Sequence, residues 1–288
     1  MRNWYKYYVD TTEKGRVYMP IEHSYEKYAS SMGGFQCDES YASKEDFFNK
    51  HFLGMYYGRL VYHYDFVRHH LKPPCDILSI GSGRCTLELK MLEDGYNVTC
   101  SDIRIPECWS DTKRIFPRSV FLEHDILKTP TPKQYDAIIS FAVMYLFDSQ
   151  NLQIYFRNVS ASLKNGGHLI IDAGSAPDNI QSYLFHDGFL RYEAEVARLI
   201  TFLKGGTFPA FVKEHVGYRR TDAEIIQSAS ESGFVFVDKA QFAYAYDLRR
   251  SYFLNKLLPN IDALEHLLRV FNIDITYLRL FDFKKQIQ

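Results

Sequence analysis

The sequence predicts an α/β fold in which helices cover both faces of a seven-stranded, mainly parallel sheet. Short apolar strands alternate with helical stretches from Asp76 onward, the first strand ends in a Gly-x-Gly turn, and an acidic residue closes the second strand. Strands that alternate with helices are typical of parallel sheets, and right-handed crossovers place those helices on both faces. We therefore predict a doubly wound sheet with additional helices inserted as a lid.

Residues 1–75 are predicted to form an N-terminal helical cover. Apolar and aromatic residues recur at three- and four-residue spacing from Phe47 to Tyr64, which is the pattern of one helix face. Pro73 and Pro74 end this helical region, because proline lacks the amide hydrogen that a helix interior requires. We expect the segment to cover the crevice at the edge of the sheet.

Four titratable side chains lie close together in this helical stretch: His63, Asp65, His69 and His70. A metal site needs three or four ligands that converge on one point, and the spacing along a single helix specifies no such set. We interpret the group as a solvated helix face and predict no metal ion.

Five strands follow in the order expected of an α/β core. They are Ile77–Ile80, Val98–Ser101, Val120–Leu122, Ala137–Phe141 and His168–Ile171. Helices are predicted between them over residues 84–93 and 150–163, and Gly166-Gly167 supplies the turn before the fifth strand. Ligands bind such sheets where the strand order reverses, at the carboxyl ends of strands one and four.

The remaining strands are predicted from two further patterns. Thr221 and Glu224 form a capping box before a helix that ends at Gly233, and the strand Phe234–Val237 follows. Alternating apolar and polar residues from Ile275 to Phe283 predict the last strand.

No linker or charge run divides the chain, so we predict one decorated domain. Its core occupies residues 76–288, with helical insertions at about 174–220 and 243–272. Residues 249–271 are predicted to form two helices that Pro259 separates.

The segment that carries chemistry is DILSIGSGRC, from Asp76 to Cys85. Gly81 allows a tight turn after the strand, and Gly83 lets the backbone approach a ligand closely. Asp102 follows Gly81 by 21 positions and ends the second strand. A carboxylate there can accept hydrogen bonds from both hydroxyls of a ribose, so the combination predicts a ligand that contains adenosine.

The residue at position 86 bears on which adenosine ligand binds. A dinucleotide fingerprint has a third glycine there, where helix and strand pack closely. This sequence has Thr86 instead, so NAD becomes the less favoured ligand.

With these residues in order, the sequence resembles the class I S-adenosylmethionine-dependent methyltransferase family. The resemblance covers the core from about Asp76 to Val237. ILSIGSG is similar to the family's first motif, YDAIISFAVMY (residues 135–145) to its fourth, and LKNGGHLII (residues 163–171) to the turn and fifth strand that follow. Several motifs in the correct order are much more specific than any one of them.

The resemblance implies a Rossmann-like fold, S-adenosyl-L-methionine as cofactor, and methyl transfer to an O or N atom of a small metabolite. It implies that Asp102 binds the ribose and that Asp125 contacts the adenine amino group. The residues implied to bind the cofactor are Ser79, Gly81, Ser82, Gly83, Asp102, Ile103, Asp125, Ile126, Ser140 and Phe141.

Two positions depart from the family pattern. Ser79 stands where the family usually has an acidic residue that helps to hold the methionine end, and Cys85 replaces the third glycine of GxGxG. Arg59 or Tyr25 is therefore a candidate to contribute at the methionine end. Cys85 lies near a helix N-terminus, where a thiol pKa can fall, but we interpret it as a packing residue.

Methyl transfer from a sulfonium is an in-line displacement, so alignment of acceptor, methyl carbon and sulfur supplies much of the rate. A hydroxyl acceptor also needs a base, whereas an amine acceptor needs only to arrive neutral. The catalytic candidates are Tyr145, Asp172 and His215, with His124 and Tyr218 as further residues near the crevice.

Composition limits the partners and the compartment. Lys and Arg number 34 and Asp and Glu 35, so the net charge of -1 argues against nucleic acid. Five cysteines form no CxxC pair and the N-terminus has no apolar signal region, which predicts a cytoplasmic protein. No apolar stretch is long enough to span a membrane. We expect a small-molecule acceptor as partner, and the sequence leaves a homodimer open.

Aromatic residues make up 16% of the chain, with 22 Tyr and 22 Phe. They are sparse between Asp76 and Ile171 and concentrate in residues 1–66, 183–218 and 242–283. We interpret them as the wall of an acceptor pocket, which predicts a flat, ring-bearing or partly apolar acceptor.

Other hypotheses remain open at this point. Paired arginines at Arg219-Arg220 and Arg249-Arg250 could hold an anionic group on the acceptor, but we interpret them as surface ion pairs. The alternatives to a methyltransferase are an NAD-dependent oxidoreductase and a non-catalytic ligand-binding module on the same fold.

Overall fold

The structure, a computed structural model, describes residues 16–17, 42–51, 58–205, 218–242, 244–249, 251, 253–254 and 260–287. Two short strands, β1 (Arg16–Val17) and β7 (Tyr218–Arg219), pair with each other in antiparallel orientation. The strands of the large sheet are β2 (Asp76–Ile80), β3 (Asn97–Asp102), β4 (Val120–Glu123), β5 (Tyr135–Ser140), β6 (Leu163–Ala173), β8 (Phe234–Phe242) and β9 (Leu278–Lys285).

The large sheet has the order β4-β3-β2-β5-β6-β9-β8. β9 runs antiparallel to β6 and to β8, and the other neighbouring pairs are parallel. This confirms the predicted seven-stranded, mainly parallel sheet. Because the chain moves outward from β2 to β4 and then returns to β5, the strand order reverses between β2 and β5.

Helices flank the sheet within the described ranges. They are α1 (Lys44–His51), α2 (Gly58–His70), α3 (Thr86–Glu93), α4 (Trp109–Ile115), α5 (Ser149–Ser162), α6 (Ile180–Tyr183), α7 (Leu190–Leu203), α8 (Asp222–Ser230), α9 (Tyr244–Arg249) and α10 (Ile261–Val270). A π-helical turn, Leu184–Phe189, joins α6 to α7. The predicted capping box of α8 forms, because Thr221 and Glu224 each cap the other's backbone amide.

One face of the sheet is covered by α2 and α3. Phe66 and Val67 of α2 and Leu87 of α3 pack in one buried cluster with Ile139 of β5 and Leu280 of β9. Each apolar side chain of this size contributes roughly 1.5–3 kcal/mol when it is fully buried. Helix α2 is therefore held against the centre of the sheet by its apolar side.

The opposite face is covered by α5 and α8, and its core is aromatic. Tyr155 and Phe156 of α5 are buried together with Phe234, Phe281 and Phe283 of the sheet. The interpretation of the aromatics in residues 242–283 as pocket wall is therefore wrong for Phe281 and Phe283. The two-residue period of β9 turns both rings inward to the same side of the sheet.

The predicted solvated face of the His63–His70 stretch is wrong for two of its residues. The His63 residue is 1% exposed, and the His70 side chain is 10% exposed. Both histidines lie on the side of α2 that contacts the sheet. His63 pairs there with Asp172 of β6, and His70 pairs with Asp282 of β9. His69 and Asp65 are exposed, as predicted.

Two predicted helical regions extend beyond the described residues. The pattern from Phe47 to Tyr64 corresponds to α1 and α2, and residues 52–57 between them lie outside the described ranges. Of the two helices predicted within residues 249–271, α10 corresponds to the second. Most residues of the first, and Pro259 itself, lie outside the described ranges. None of the helices in the described part of the chain combines the length and the apolar character needed to cross a membrane.

Candidate functional site

The carboxyl ends of β2, β3 and β5 meet around the turn that begins at Gly81. Gly81 has a φ of +72°, a conformation that favours glycine. A Cβ atom at Gly81 would lie 2.1 Å from Cγ2 of Val143, which follows β5. The absence of a side chain thus lets the β2 turn and the β5 turn touch at the point where the strand order reverses.

Asp102 closes β3 and holds the second glycine of the turn. Its Oδ2 accepts a hydrogen bond from the Gly83 amide at 3.0 Å, and its Oδ1 accepts one from the Ile103 amide at 2.8 Å. Burial raises the pKa of Asp102, and the two amide donors act in the opposite direction. Each carboxylate oxygen keeps a lone pair for another donor, such as a hydroxyl group.

The space beside Gly83 suits a bound molecule. Gly83 has a φ of +50°, and among the described residues a Cβ atom built there would meet nothing within 4 Å. Ser82 is tied to the end of β3, because its amide and its hydroxyl both donate to the Ser101 carbonyl, at 3.0 Å and 3.1 Å. The turn thus presents open backbone next to an acidic side chain.

An acidic residue does lie beside the turn, but it comes from helix α3. Ser79 is buried, and its hydroxyl donates to Glu88 Oε1 at 2.5 Å. Burial raises the pKa of Glu88 to about 7. The sequence did not single out Glu88, because a glutamate among apolar helix residues carries no signal of its own.

Cys85 and Asp125 occupy turns at the two sides of this edge. Cys85 is fully buried with a φ of +61°, and burial raises the pKa of its thiol, which agrees with a packing residue. Asp125 follows β4, and its Oδ1 accepts from the Leu127 amide at 3.0 Å. The side chain of Ile126 is buried in the core, and its carbonyl accepts from Asn158 Nδ2 at 2.7 Å.

The turn after β5 is fixed by Asp172, which lies near the end of β6. Asp172 Oδ1 accepts from the Ala142 amide at 2.6 Å, and Oδ2 lies 3.0 Å from His63 Nε2. Ala142 has a φ of +57°, a conformation that L-residues other than glycine seldom adopt. Ser140 is buried just before this turn, and the ring centroids of Phe141 and His63 lie 4.2 Å apart.

His63 contacts the helix and the sheet through its two ring nitrogens. Its Nδ1 lies 2.8 Å from the Arg59 carbonyl, one turn earlier in α2, and its Nε2 lies 3.0 Å from Asp172 Oδ2 of β6. The imidazole therefore connects α2 to the aspartate that holds the turn after β5.

Tyr145 lies in a single 3-10 turn, Met144–Leu146, directly after the Ala142 position. The Arg220 side chain fixes the end of this turn, since its Nη2 donates to the Phe147 carbonyl at 2.5 Å. Burial lowers the pKa of Arg220 to about 10, which leaves the guanidinium charged.

Three predicted site residues lie away from this cluster or outside the described residues. Arg59 is exposed near the start of α2, and its carbonyl is the group that contacts His63. His215 and Tyr25 lie outside the described residues. The surface ion-pair interpretation is wrong for Arg219 and Arg220, which are 7% and 4% exposed. Arg220 donates to the Phe147 carbonyl after β5, and its own carbonyl accepts from Arg279 of β9.

Sequence comparison matches one stretch of the chain to a family. Residues 77–167 match the model of a methyltransferase domain. This stretch begins in β2 and ends in β6, so it includes the glycine turn, Asp102, Asp125 and Tyr145. A comparison with the sequences of characterised proteins finds no match.

Three solved structures share the fold over most of both chains. A 1,6-didemethyltoxoflavin-N1-methyltransferase from Burkholderia thailandensis is 14% identical, with a TM-score of 0.55 over 97% of this chain and 98% of that one. The N-methyltransferase NodS from Bradyrhizobium japonicum is 14% identical, with a TM-score of 0.51 over 90% and 97%. The magnesium protoporphyrin IX methyltransferase from Synechocystis is 13% identical, with a TM-score of 0.50 over 88% and 92%. All three structures contain S-adenosylhomocysteine.

Proposed function

We infer that this chain is a class I S-adenosylmethionine-dependent methyltransferase and that it transfers a methyl group to an oxygen or nitrogen atom of a small metabolite. The observation that carries the proposal is the crevice between β2 and β5, where Gly83 and Asp102 are joined beside space that no described residue fills. The methyltransferase-domain match covers this crevice. The methyltransferase-domain match favours this function over the alternatives of an NAD-dependent oxidoreductase and a non-catalytic module.

The residues at the crevice fit S-adenosylmethionine from one end to the other. Asp102 has lone pairs for the two ribose hydroxyls, and we assign the adenine contact to Asp125 and Ile126, which follow β4. We assign the methionine end to Gly81, Ser82 and the turn after Ser140. Ser79 supports this end through Glu88, which takes the place of the acidic residue usual in the family.

When bound, S-adenosylmethionine supplies an electrophilic methyl carbon on a sulfonium sulfur. The acceptor's lone pair forms the new bond to carbon while the carbon–sulfur pair returns to sulfur. The chain's part is to align the acceptor on the side opposite the sulfur. We propose that Phe141 and Tyr145 do this, since both lie on the β5 turn that Asp172 and Arg220 hold in place.

Of the three catalytic candidates, Tyr145 and His215 remain our proposals for removing a proton from a hydroxyl acceptor. Asp172 is better suited to position the β5 turn, because each of its carboxylate oxygens is engaged by a protein group. An amine acceptor would need no base at all.

We propose that residues 1–75 and the insertions at about 174–220 and 243–272 cover the crevice as a lid, in which α2, packed against the sheet, is the fixed part. The described part of the second segment supports this proposal. Helix α7 exposes apolar side chains on its surface, among them Leu199, Phe202 and Leu203. A protein surface that leaves several large apolar groups in water is suited to contact a ligand or another part of the protein.

A flat, ring-bearing acceptor is the class that we favour. The aromatic content of the chain supports this choice, and two of the similar structures are named for methylation of ring systems, a didemethyltoxoflavin and magnesium protoporphyrin IX. A near-neutral chain also fits an uncharged or weakly charged acceptor better than a polyanion.

Calorimetry with S-adenosylhomocysteine tests the cofactor site. We expect saturable binding to the full chain, and Asp102→Asn should weaken it about 10- to 100-fold, since a hydrogen bond to a charged group contributes roughly 1.5–3 kcal/mol. Asp111→Asn on α4 is the matched control and should leave the affinity unchanged. A folded chain that shows no binding at millimolar ligand would contradict the proposal, and an unchanged affinity in Asp102→Asn would contradict the role of Asp102.

The acceptor class can be tested with a panel of small molecules. Flat ring compounds that carry a hydroxyl or amine, and acyclic polar compounds that carry the same groups, are incubated with labelled cofactor. We expect transfer to members of the ring set, each product gaining the mass of one methylene group. Transfer only to acyclic polar compounds would contradict the proposed acceptor class while leaving the methyltransferase assignment intact.

A further inference from the structure

A second group of convergent side chains lies at the far end of α2, away from the crevice. His69 and His70 are the last residues of α2, and Asp238 belongs to β8. One ligand atom from each of the three side chains lies within 4.8 Å of the other two. Eleven residues of helix, roughly 16 Å, separate His70 from Arg59 near the crevice end of α2.

A β-bulge brings Asp238 to this position. Phe236 pairs with Phe283 and Asp238 pairs with Asp282, so Val237 is the extra residue on β8. The bulge places Asp238 directly opposite Asp282, and paired residues in an antiparallel sheet project from the same face. Two carboxylates thus face α2 side by side, and His70 lies between them.

Asp282 orients His70. The Asp282 side chain is fully buried, His70 Nδ1 lies 3.1 Å from its Oδ2, and His168 Nδ1 lies 3.0 Å from both of its oxygens. A histidine that donates from Nδ1 to a carboxylate presents the Nε2 lone pair on the other side of the ring. This carboxylate–histidine arrangement is the usual support of a histidine that binds a metal ion.

The Nε2 atom of His70 is the second observation that points to a cation. The atom is buried and makes no hydrogen bond to any residue in the described ranges, although Asp238 Oδ2 lies 3.2 Å away. A nitrogen and an oxygen that bind one tetrahedral Zn²⁺ at about 2.0–2.1 Å lie roughly 3.3 Å apart, and neither points straight at the other. The separation and the poor hydrogen-bond geometry both match two ligands of one ion.

We propose that His69, His70 and Asp238 bind a divalent transition metal ion of the zinc type, with Asp282 orienting His70. Two imidazoles and one carboxylate are ligands that zinc, cobalt and nickel accept, and a water molecule can complete a tetrahedron. His69 is exposed, so its ring is free to turn toward the ion. Such an ion would join the end of α2 to β8 across the sheet surface.

The competing explanation needs no metal. His70 could carry two protons and bridge Asp238 and Asp282 as an imidazolium. In that case Asp238 matters for stability, but the protein has no specific affinity for a metal ion and His69 plays no part. Measurements of metal binding therefore separate the two explanations.

The test is titration of the untagged, chelator-treated full chain with Co²⁺ and with Zn²⁺. We expect one ion per chain and cobalt d–d bands without thiolate charge-transfer bands, because no cysteine belongs to the set. His69→Ala and Asp238→Asn should each weaken binding at least tenfold. His266→Ala, which removes an exposed histidine of α10, is the control and should not change the affinity.

Thermal unfolding supplies an independent readout that does not depend on methyl transfer. Zn²⁺ should raise the unfolding temperature of the unmodified chain and of His266→Ala, and have little effect on His69→Ala. The proposal is overturned if the folded chain binds no ion, if the spectrum shows thiolate ligands, or if both ligand variants bind as tightly as the unmodified chain.

Discussion

Glu88 is buried in the first turn of α3, with its carboxyl group against the Ser79 hydroxyl. Burial disfavours the charged form of the carboxyl and raises its pKa from 4.5 to about 7. The folded chain therefore binds a proton at Glu88 that the unfolded chain has already released between these two pH values. Since the extra proton is on the folded side, stability falls as the pH rises through this window.

Glu88→Gln should remove this pH dependence while keeping a side chain that can bond Ser79. We expect the free energy of unfolding of the variant, relative to the unmodified chain, to increase by roughly 2 kcal/mol between pH 5 and pH 7.5, because one proton contributes at most about 1.4 kcal/mol per pH unit. Urea unfolding at several pH values measures the difference. Glu45→Gln at an exposed position is the control. If the free energies of unfolding of Glu88→Gln and of the unmodified chain change with pH in the same way, the prediction is refuted.

Alanine substitutions at Gly81 and Gly83 distinguish the cost of backbone strain from the cost of a steric clash. Both have positive φ, so alanine at either position bears a backbone cost of about 1–2 kcal/mol. Only at Gly81 would the new Cβ lie 2.1 Å from a Val143 atom. We expect Gly81→Ala to lose about 1–3 kcal/mol more than Gly83→Ala in urea unfolding, which is the range for overpacking. Equal losses would show that the β2 and β5 turns do not touch as described.

At the scale of elements, helix α2 is joined to the sheet by histidines as well as by apolar packing. His63 reaches Asp172 of β6, and His70 reaches Asp282 of β9. The two contacts lie about two helical turns apart on the same side of α2. They set the register of the helix against the strands, which apolar contacts alone do not specify as sharply.

Substitutions of Asp172 test the contact between α2 and the sheet. Asp172→Ala leaves His63 buried without its partner and frees the Ala142 amide, so we expect a loss of about 3 kcal/mol or more in the free energy of unfolding. Asp172→Asn can still accept from the Ala142 amide and keeps a polar group beside His63 Nε2, so its loss should be less than half as large. Guanidinium unfolding of both variants measures this, and similar losses would contradict the proposed hydrogen-bond roles.

Elements that depend on local pattern could be predicted from the sequence. The strand before Gly81, the capping box at Thr221 and the alternation in β9 each carry their signal within a few residues. The joint between α2 and the sheet could not be predicted, because Asp172 and Asp282 lie more than 100 residues from the histidines they contact. The same holds for Glu88, whose burial depends on how α3 packs.

Some residues of the candidate site could likewise be predicted from local sequence, and others could not. Gly81, Gly83 and Asp102 were predicted from a spacing that the geometry of a strand, a turn and a helix imposes. His63, which contacts Asp172, and Arg220, which donates to the turn after β5, come from an N-terminal helix and from the segment before α8. Nothing in their local sequence indicates that they meet the β5 turn.

At the scale of the whole molecule, S-adenosylhomocysteine should stabilise the folded chain. A ligand present at 100 times its dissociation constant adds about 2.7 kcal/mol to the free energy of unfolding when it binds only the folded state. Urea unfolding with and without the ligand measures this gain. Asp102→Asn at the same ligand concentration should show a smaller gain, and an equal gain in both proteins would count against the assigned ribose contact.

The position of β9 has a consequence for synthesis. β9 fills the place between β6 and β8, yet it is made about 100 residues after β6. At a synthesis rate of roughly 5–20 residues per second, β6 is without its neighbour β9 for on the order of 5–20 s on the ribosome. During that interval an apolar strand edge is open to pairing with other chains. We therefore expect the nascent chain to be most prone to misassembly after β8 has emerged and before β9 has done so.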